Sequence, residues 1–313
     1  MTLLKSIFWG LGLLVLMGST ANATTLWVNC GATKGLTSIN AALKAVQNAE
    51  SHGPATINVS GACHENVVIQ SMDRLTLNAV NGASINDPSQ GVSVTLVITD
   101  SRDVAINNFV INGYAAGTSG NDVVWCQDAS VCRFSGDTVQ NAPQGAGIGV
   151  YSGSYADIEG GFLQNNSGWT GLAVLRSARA RAQGLTSQNN WRGFVVAEGG
   201  HLQLNGSTIA NNTDVGIEVR QGAALVCNPC TVTGNGSHGI NVEHSSVATF
   251  DNNSSVTGNV GAGVNLTNLS SATFDGTGNV ANNNGGQGDV VCNPNFTVAA
   301  GLPVAVGKVV NCP

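Results

Sequence analysis

A glycine followed by an alternating strand returns six times at nearly constant spacing in this 313-residue chain, and no other feature restricts its fold as much. The copies are Gly147-Ile148-Gly149-Val150, Gly171-Leu172-Ala173-Val174, Gly193-Phe194-Val195-Val196, Gly216-Ile217-Glu218-Val219, Gly239-Ile240-Asn241-Val242 and Gly263-Val264-Asn265-Leu266, spaced 24, 22, 23, 23 and 24 residues. Nine and eleven residues after each Gly stand two further columns, Ala156, Ala180, Leu202, Leu225, Ala248, Ala272 and Ile158, Ala182, Leu204, Cys227, Phe250, Phe274, and every member is apolar. An Asn turn closes each copy, at Asn165-Asn166, Asn189-Asn190, Asn211-Asn212, Asn235, Asn259 and Asn282 to Asn284. Copies this short cannot bury their inner faces alone. Stacked copies bury them continuously and bring equivalent Asn side chains into a ladder of amides at one corner. A leucine-rich repeat needs a Leu-x-x-Leu-x-Leu frame, which is absent, and a propeller blade needs about twice the period. The sequence therefore predicts an all-β solenoid, a single-stranded right-handed parallel β-helix.

Upstream the period loosens, but strands are expected over residues 55–59, 67–69, 75–77, 92–98 and 104–111. Before them, Thr37 or Ser38 can N-cap a helix running to about Asn48, with Ile39, Ala42, Leu43 and Val46 as its apolar stripe. A solenoid must close its open ends, and this helix suits the N-terminal one. The expected organisation is a signal peptide over residues 1–23 and one β-helix domain over 24–313. Within that domain, 24–54 form the N-terminal cap, 55–287 the coils and 288–313 a Pro-containing C-terminal cap.

The signal assignment rests on Lys5, the uncharged run from Ile7 to Met17, and the small-x-small site Ala21-Asn22-Ala23. That run is too short to span a bilayer, and no second apolar segment follows, so no membrane span is expected. The destination is the periplasm or the exterior. Removing Lys5 takes the net charge from −6 to −7, which argues against a nucleic-acid partner. With 41 Gly and 10% charged residues the composition suits short strands joined by tight turns. The eight Cys are an even number in an oxidising compartment, so disulfides are expected. Proximity pairs Cys126 with Cys132, Cys227 with Cys230 and Cys292 with Cys312, leaving Cys30 for Cys63. Cys227-Asn228-Pro229-Cys230 also has the spacing of a redox or zinc pair, with His238 and His244 downstream.

From residue 26 to 313 the chain resembles the right-handed β-helix repeat proteins, a superfamily that includes pectate lyases, polygalacturonases and pectin methylesterases. The resemblance is clearest from Gly147 to Asn284. At the N-terminus, Ile39-Asn40-Ala41-Ala42-Leu43 and the turn Val59-Ser60-Gly61-Ala62-Cys63-His64-Glu65-Asn66 are similar to the cap and first coil of that group. It implies the fold, but no one reaction, because the group holds lyases, hydrolases, esterases, epimerases and non-enzymes. Asn212-Thr213-Asp214 with Ser237-His238-Gly239 resembles two polygalacturonase signatures, but the acidic pair between them and a later Arg-x-Lys are missing. Cys132 to Thr138 resembles a pectin methylesterase segment but lacks its Gln. No Asp cluster stands on successive coils to serve a calcium-dependent lyase, and no cofactor or metal is expected.

In each coil the residues two and four after the Gly should point to solvent. Glu218, Arg220 and Glu243 stand there, and the next position adds Arg176, Glu198 and His244, so charge gathers on the coils from Gly193 to Gly239, with Arg176 one coil before them. Trp169 and Trp191, two residues before their Gly, should stand on neighbouring coils and offer flat faces to sugar rings. The expected substrate-binding residues are Trp169, Trp191, Arg176, Glu198, Arg220 and His244. Glu218 and Glu243 are the candidate catalytic carboxylates. Adjacent coils ~4.8 Å apart and a two-residue offset put their Cβ atoms about 8 Å apart, a base from which carboxylates reach the spacing of inverting glycoside hydrolysis. The expected function is to bind or process an extracellular polysaccharide or cell-surface glycan, as a glycoside hydrolase or polysaccharide lyase if it is catalytic. The alternative is a non-catalytic structural or surface-interaction solenoid.

Overall fold

The computed structural model describes residues 23–48, 54–282, 284–285, 288–292, 296–297 and 308–311. It is a parallel solenoid of about ten turns. The Gly strands, from Val67–Gln70 to Val290–Cys292, stack in register as one face of an 11-stranded sheet. Two further strands per turn, such as Tyr155–Glu159 and Phe162–Gln164, stack into a continuous 20-stranded sheet. The second of these, carrying Leu163, Ser187, Ile209, Val232 and Val256 inward, has too short an alternation to be read from the sequence. The expected strand over 104–111 is two, Val104–Asn107 and Val110–Asn112, because Asn108 turns the chain through a left-handed backbone at φ 62°.

The inner columns are buried throughout: Ile148, Leu172, Phe194, Ile217, Ile240 and Val264 lie at 0–1% exposure in one contiguous core. Phe250 and Phe274 stack at 4.7 Å between centroids, extending that core from coil to coil.

The Asn ladder also forms, and it explains the glycines. Asn166, Asn190, Asn212, Asn235 and Asn259 are buried, and each Nδ2 donates to the Oδ1 of the next rung, Asn284 included, at 2.8–3.1 Å. Each Oδ1 also accepts the backbone N–H of the rung before it, as from Asn166 N to Asn190 and from Asn190 N to Asn212. These amides press on the Gly column. A Cβ at Gly147 would lie 2.7 Å from Asn166 Nδ2, and one at Gly216 would lie 2.7 Å from Asn235 Nδ2. Glycine is kept in this column for close approach, whereas the left-handed turns fall at other positions, such as Asn165, Asn189 and Gly184.

The helix α1 (Ile39–Gln47) sits at the N-terminal end with Ser38 as N-cap and Ile39, Ala42, Leu43 and Val46 buried. Its first amides converge on Glu65 of the first coil. Ile39 N donates to Oε1 at 2.6 Å, Asn40 N to Oε2 at 3.1 Å, and Ser38 Oγ to Oε2 at 2.7 Å. A carboxylate there answers orphan donors and the positive end of the helix dipole. Glu65→Ala is expected to lower the unfolding free energy by about 1–2 kcal/mol in urea titration; an unchanged midpoint would show that water serves those amides equally well. At the other end, Phe296–Thr297 and Lys308–Asn311 pair antiparallel with the last coil strands.

Disulfides join Cys30 to Cys63, Cys126 to Cys132 and Cys227 to Cys230. Cys227 and Cys230 are thus bridged, with both side chains buried, and sulfurs joined in this way do not ligate zinc. Cys292 is also disulfide-bonded; its expected partner, Cys312, lies outside the described residues. So do residues 1–22 of the expected signal peptide. Among the described residues no helix is long and apolar enough to cross a membrane.

Candidate functional site

The Gly-strand face does not present its outward columns to solvent as the alternation alone implies. Ala173, Val195 and Ala197 are at 0–1% exposure and, with Ala146 and Leu175, form a second apolar cluster outside the solenoid wall. Tyr151 and Trp169 pack against it. Small outward side chains let large neighbours lie flat over the sheet. Gly149 is the extreme case, since a Cβ there would run into the Tyr151 ring and the Asp122 carboxylate.

Tyr151 therefore folds back across its own strand toward the preceding coil, where its hydroxyl donates to Asp122 Oδ2 at 2.5 Å. Trp125 Nε1 donates to the same oxygen at 2.8 Å, and Ala146 N donates to Oδ1 at 2.6 Å. Burial pushes the Asp122 carboxyl up to about 6, even though these three hydrogen bonds favour the ionised form. Burial, then the neighbouring Asp122 charge, hold the Tyr151 hydroxyl well above its ordinary value, so it stays a phenol and a donor. Above them opens a cleft of about 350 Å³, walled by Trp125, Trp169 and Leu175 and crossed by Arg176, whose guanidinium lies 5.8 Å from the Tyr151 ring centroid.

The column five residues after each Gly is a left-handed corner. Ser152, Arg176, Glu198, Gln221, His244 and Asn268 all have φ between 51° and 56°. Three expected site residues thus stand on one corner, and Arg176 and Glu198 occupy adjacent coils with Nε and Oε2 3.6 Å apart. His244 lies beyond them, its Nδ1 3.6 Å from Glu243 Oε1.

Glu218 belongs to a second group. Its carboxylate meets Arg192 Nη1 at 2.7 Å and Arg220 Nε at 4.0 Å, while Arg192 Nε also reaches Asp214 at 3.0 Å. The Glu218 side chain is 10% exposed and sealed between two guanidiniums, whereas Glu243 is more open and accepts from Asn241 Nδ2 at 3.4 Å. Beside them, burial lowers the pKa of His238 against the pull of Asp214, and its Nδ1 accepts from Ala262 N at 2.9 Å, so the neutral ring carries its proton on Nε2. Trp191 stands exposed, one coil along from Trp169. Arg176 and Trp169 are thus gathered at the cleft, Glu198 pairs with Arg176 beside it, and Glu218, Arg220, Glu243 and His244 lie further along the same face.

Asp122, Trp125 and Tyr151 were not among the expected site residues. The coil of Asp122 and Trp125 lacks the Gly signature, because Val123 occupies the Gly position, and the structure supplies the reason. Ala142 replaces the ladder Asn on that coil, its N–H capping Asn166 Oδ1 at 2.9 Å, so no amide presses on position 123. Stepping the register back by 24 residues from Gly147 would have placed Trp125 on the outward column.

A family model described as the right handed beta helix region matches residues 94–255, more than half of the sequence. The chain belongs to this family. Among solved structures, the β-helix is similar to the A-module of mannuronan C-5 epimerase AlgE4 of Azotobacter vinelandii. That match has 15% identity and a TM-score of 0.66, and it covers 85% of this chain and 81% of that one. It is also similar to the AlgE6 A-module of the same organism, at 15% identity and a TM-score of 0.52, over 82% of this chain and 95% of the other. At such identities the likeness is one of fold. Among curated proteins none matches this β-helix by sequence.

Proposed function

We propose that this protein is secreted or periplasmic and binds, or processes, an extracellular polysaccharide along its Gly-strand face. The observation that carries the reading is the aromatic cleft, where Trp125 and Tyr151 are hydrogen-bonded to Asp122, Trp169 packs on the outer apolar cluster, and exposed Trp191 follows on the next coil. Flat aromatic faces spaced along a solenoid suit stacking against sugar rings, whose axial C–H surfaces are apolar. The disulfides fit an oxidising compartment. The similar folds named above belong to proteins that act on mannuronan, which favours the same ligand class.

The test is a panel of acidic and neutral polysaccharides, followed by direct binding and by release of reducing ends or new double bonds. Trp169→Ala and Trp191→Ala should each weaken binding by about 1–3 kcal/mol, the range found for aromatic stacking. Full binding by a folded double variant would move the site off this face. If a glycan is cleaved, Glu218→Gln and Glu243→Gln test the two proposed carboxylates, each expected to lower turnover by about 10²-fold or more. Normal turnover removes that residue from the reaction. Absence of binding across the panel favours the non-catalytic structural solenoid.

A further inference from the structure

We propose that the cleft over Tyr151 is a subsite for a carboxylated sugar residue, and that Glu198 is an internal stand-in for that ligand's carboxylate, displaced from Arg176 on binding. The inference rests on the glycan reading above and adds the ligand's charge and the means of exchange.

Asp122, the one carboxylate in the cleft lining, already accepts three hydrogen bonds, from Ala146 N at Oδ1 and from the Tyr151 hydroxyl and Trp125 Nε1 at Oδ2. It is buried, and it positions the aromatic walls. The remaining charge in the lining is Arg176, and it is under-used. Among the described residues its guanidinium makes no hydrogen bond. Its ion-pair partner is Glu198, at a single Nε–Oε2 separation of 3.6 Å. A guanidinium offers a planar fork of five donors suited to two-point capture of a carboxylate, and this contact uses almost none of it. The two side chains are 65% and 47% exposed, so solvent screens the pair and little holds it together.

The backbone explains why the contact stays poor. Arg176 and Glu198 both sit on the left-handed corner, at φ 56° and 53°, and Ser177 N donates to Glu198 O at 3.0 Å, locking the two turns in register. The carboxylate therefore meets the guanidinium at Nε alone, while Arg176, held 5.8 Å from the Tyr151 ring centroid, also lines the open cleft. A sugar lying on Trp169 with its carboxylate toward Tyr151 can meet the guanidinium with both oxygens and free Glu198 to solvent. No covalent step is involved.

The experiment compares polygalacturonate and polymannuronate with their carboxyl-reduced, neutral forms, by calorimetry at low ionic strength, on the wild-type protein and on Arg176→Gln and Glu198→Gln. The wild type should bind at least one acidic polymer about 5-fold or more tighter than its reduced form. Arg176→Gln should bring that ratio close to one. Glu198→Gln should tighten binding of the acidic polymer by about 3-fold or more, since the competing carboxylate is gone, and leave the neutral one unchanged. Weaker acidic binding by Glu198→Gln would make Glu198 a ligand contact and overturn the exchange. An unchanged ratio in Arg176→Gln, or equal wild-type affinity for both forms, would overturn the carboxylate subsite while leaving glycan binding intact. Failure of every polymer to bind the wild type would remove the glycan reading and this inference together.

Discussion

Asn212→Ala is expected to lower the unfolding free energy by about 2–4 kcal/mol, a loss set by the amide ladder rather than by hydrophobic area. Asn212 Oδ1 accepts the Asn190 N–H at 3.0 Å and Asn190 Nδ2 at 3.1 Å, and its own Nδ2 donates to Asn235 Oδ1 at 3.0 Å. Alanine orphans a fully buried backbone donor, which costs about 1–3 kcal/mol, and adds a polar-lined void. Water cannot easily repair it, because Gly193 is packed against the Asn212 amide from the neighbouring strand. Denaturant unfolding of the purified variant measures the loss. A change below about 0.5 kcal/mol, the usual range of surface substitutions, would show that the ladder organises the corner without stabilising it.

The second large effect is a stability that rises toward acid. Burial pushes the Asp137 carboxyl up to about 8, against two hydrogen bonds that favour its ionised form, from Phe109 N at 2.7 Å and Ser135 N at 3.1 Å. Asp122 is raised to about 6 for the same leading reason. Between the ordinary carboxyl value of 3.8 and these raised values the native state holds protons that the unfolded chain has released. The unfolding free energy should therefore be greatest near pH 4 and fall as pH rises toward 8. A shift of one unit corresponds to about 1.4 kcal/mol, so the two sites together are expected to contribute a fall of several kcal/mol. Asp87 works in the opposite sense. Burial raises it, but hydrogen bonds from Ser89 and Asn66 outweigh that and hold it below 3.8, so its contribution is lost only in stronger acid. Thermal or urea unfolding at pH 4, 6 and 8 gives the slope, and Asp137→Asn should remove most of it. A wild-type profile that rises from pH 4 to 8 would contradict this account of both carboxyls.

The β-helix could be read from residue pattern because each coil repeats the same local problem. Apolar residues at one, three, nine and eleven after the Gly, and an Asn at the turn, mean the same thing in every copy. Stacking then needs no information beyond the period. The N-terminal helix was equally legible: the Ser38 cap and the Ile39, Ala42, Leu43, Val46 stripe are local signals, and the structure places both where the spacing predicts. The cysteines paired by proximity because a solenoid brings together residues that are near in sequence or one coil apart.

What the sequence alone determined, then, was the period, the inward columns and the capped entrance, each of which depends on spacing along the chain; it suggested the cysteine pairs by proximity and left their connectivity to the structure. Only the tertiary structure decided which outward side chains are exposed and which of them meet. Alternation states that Ala173, Val195 and Ala197 face away from the core. It cannot state that Tyr151 and Trp169 will lie down over their neighbourhood. The same holds for Asp122 and Tyr151, joined across 29 residues through the space above Gly149, and for Glu218, claimed by Arg192 from the preceding coil and by Arg220 of its own strand. Inward positions are constrained by a shared core that repeats. Outward positions take whatever shape their particular neighbours leave, so the candidate site depends on the stacked coils and on side-chain volumes that no period encodes.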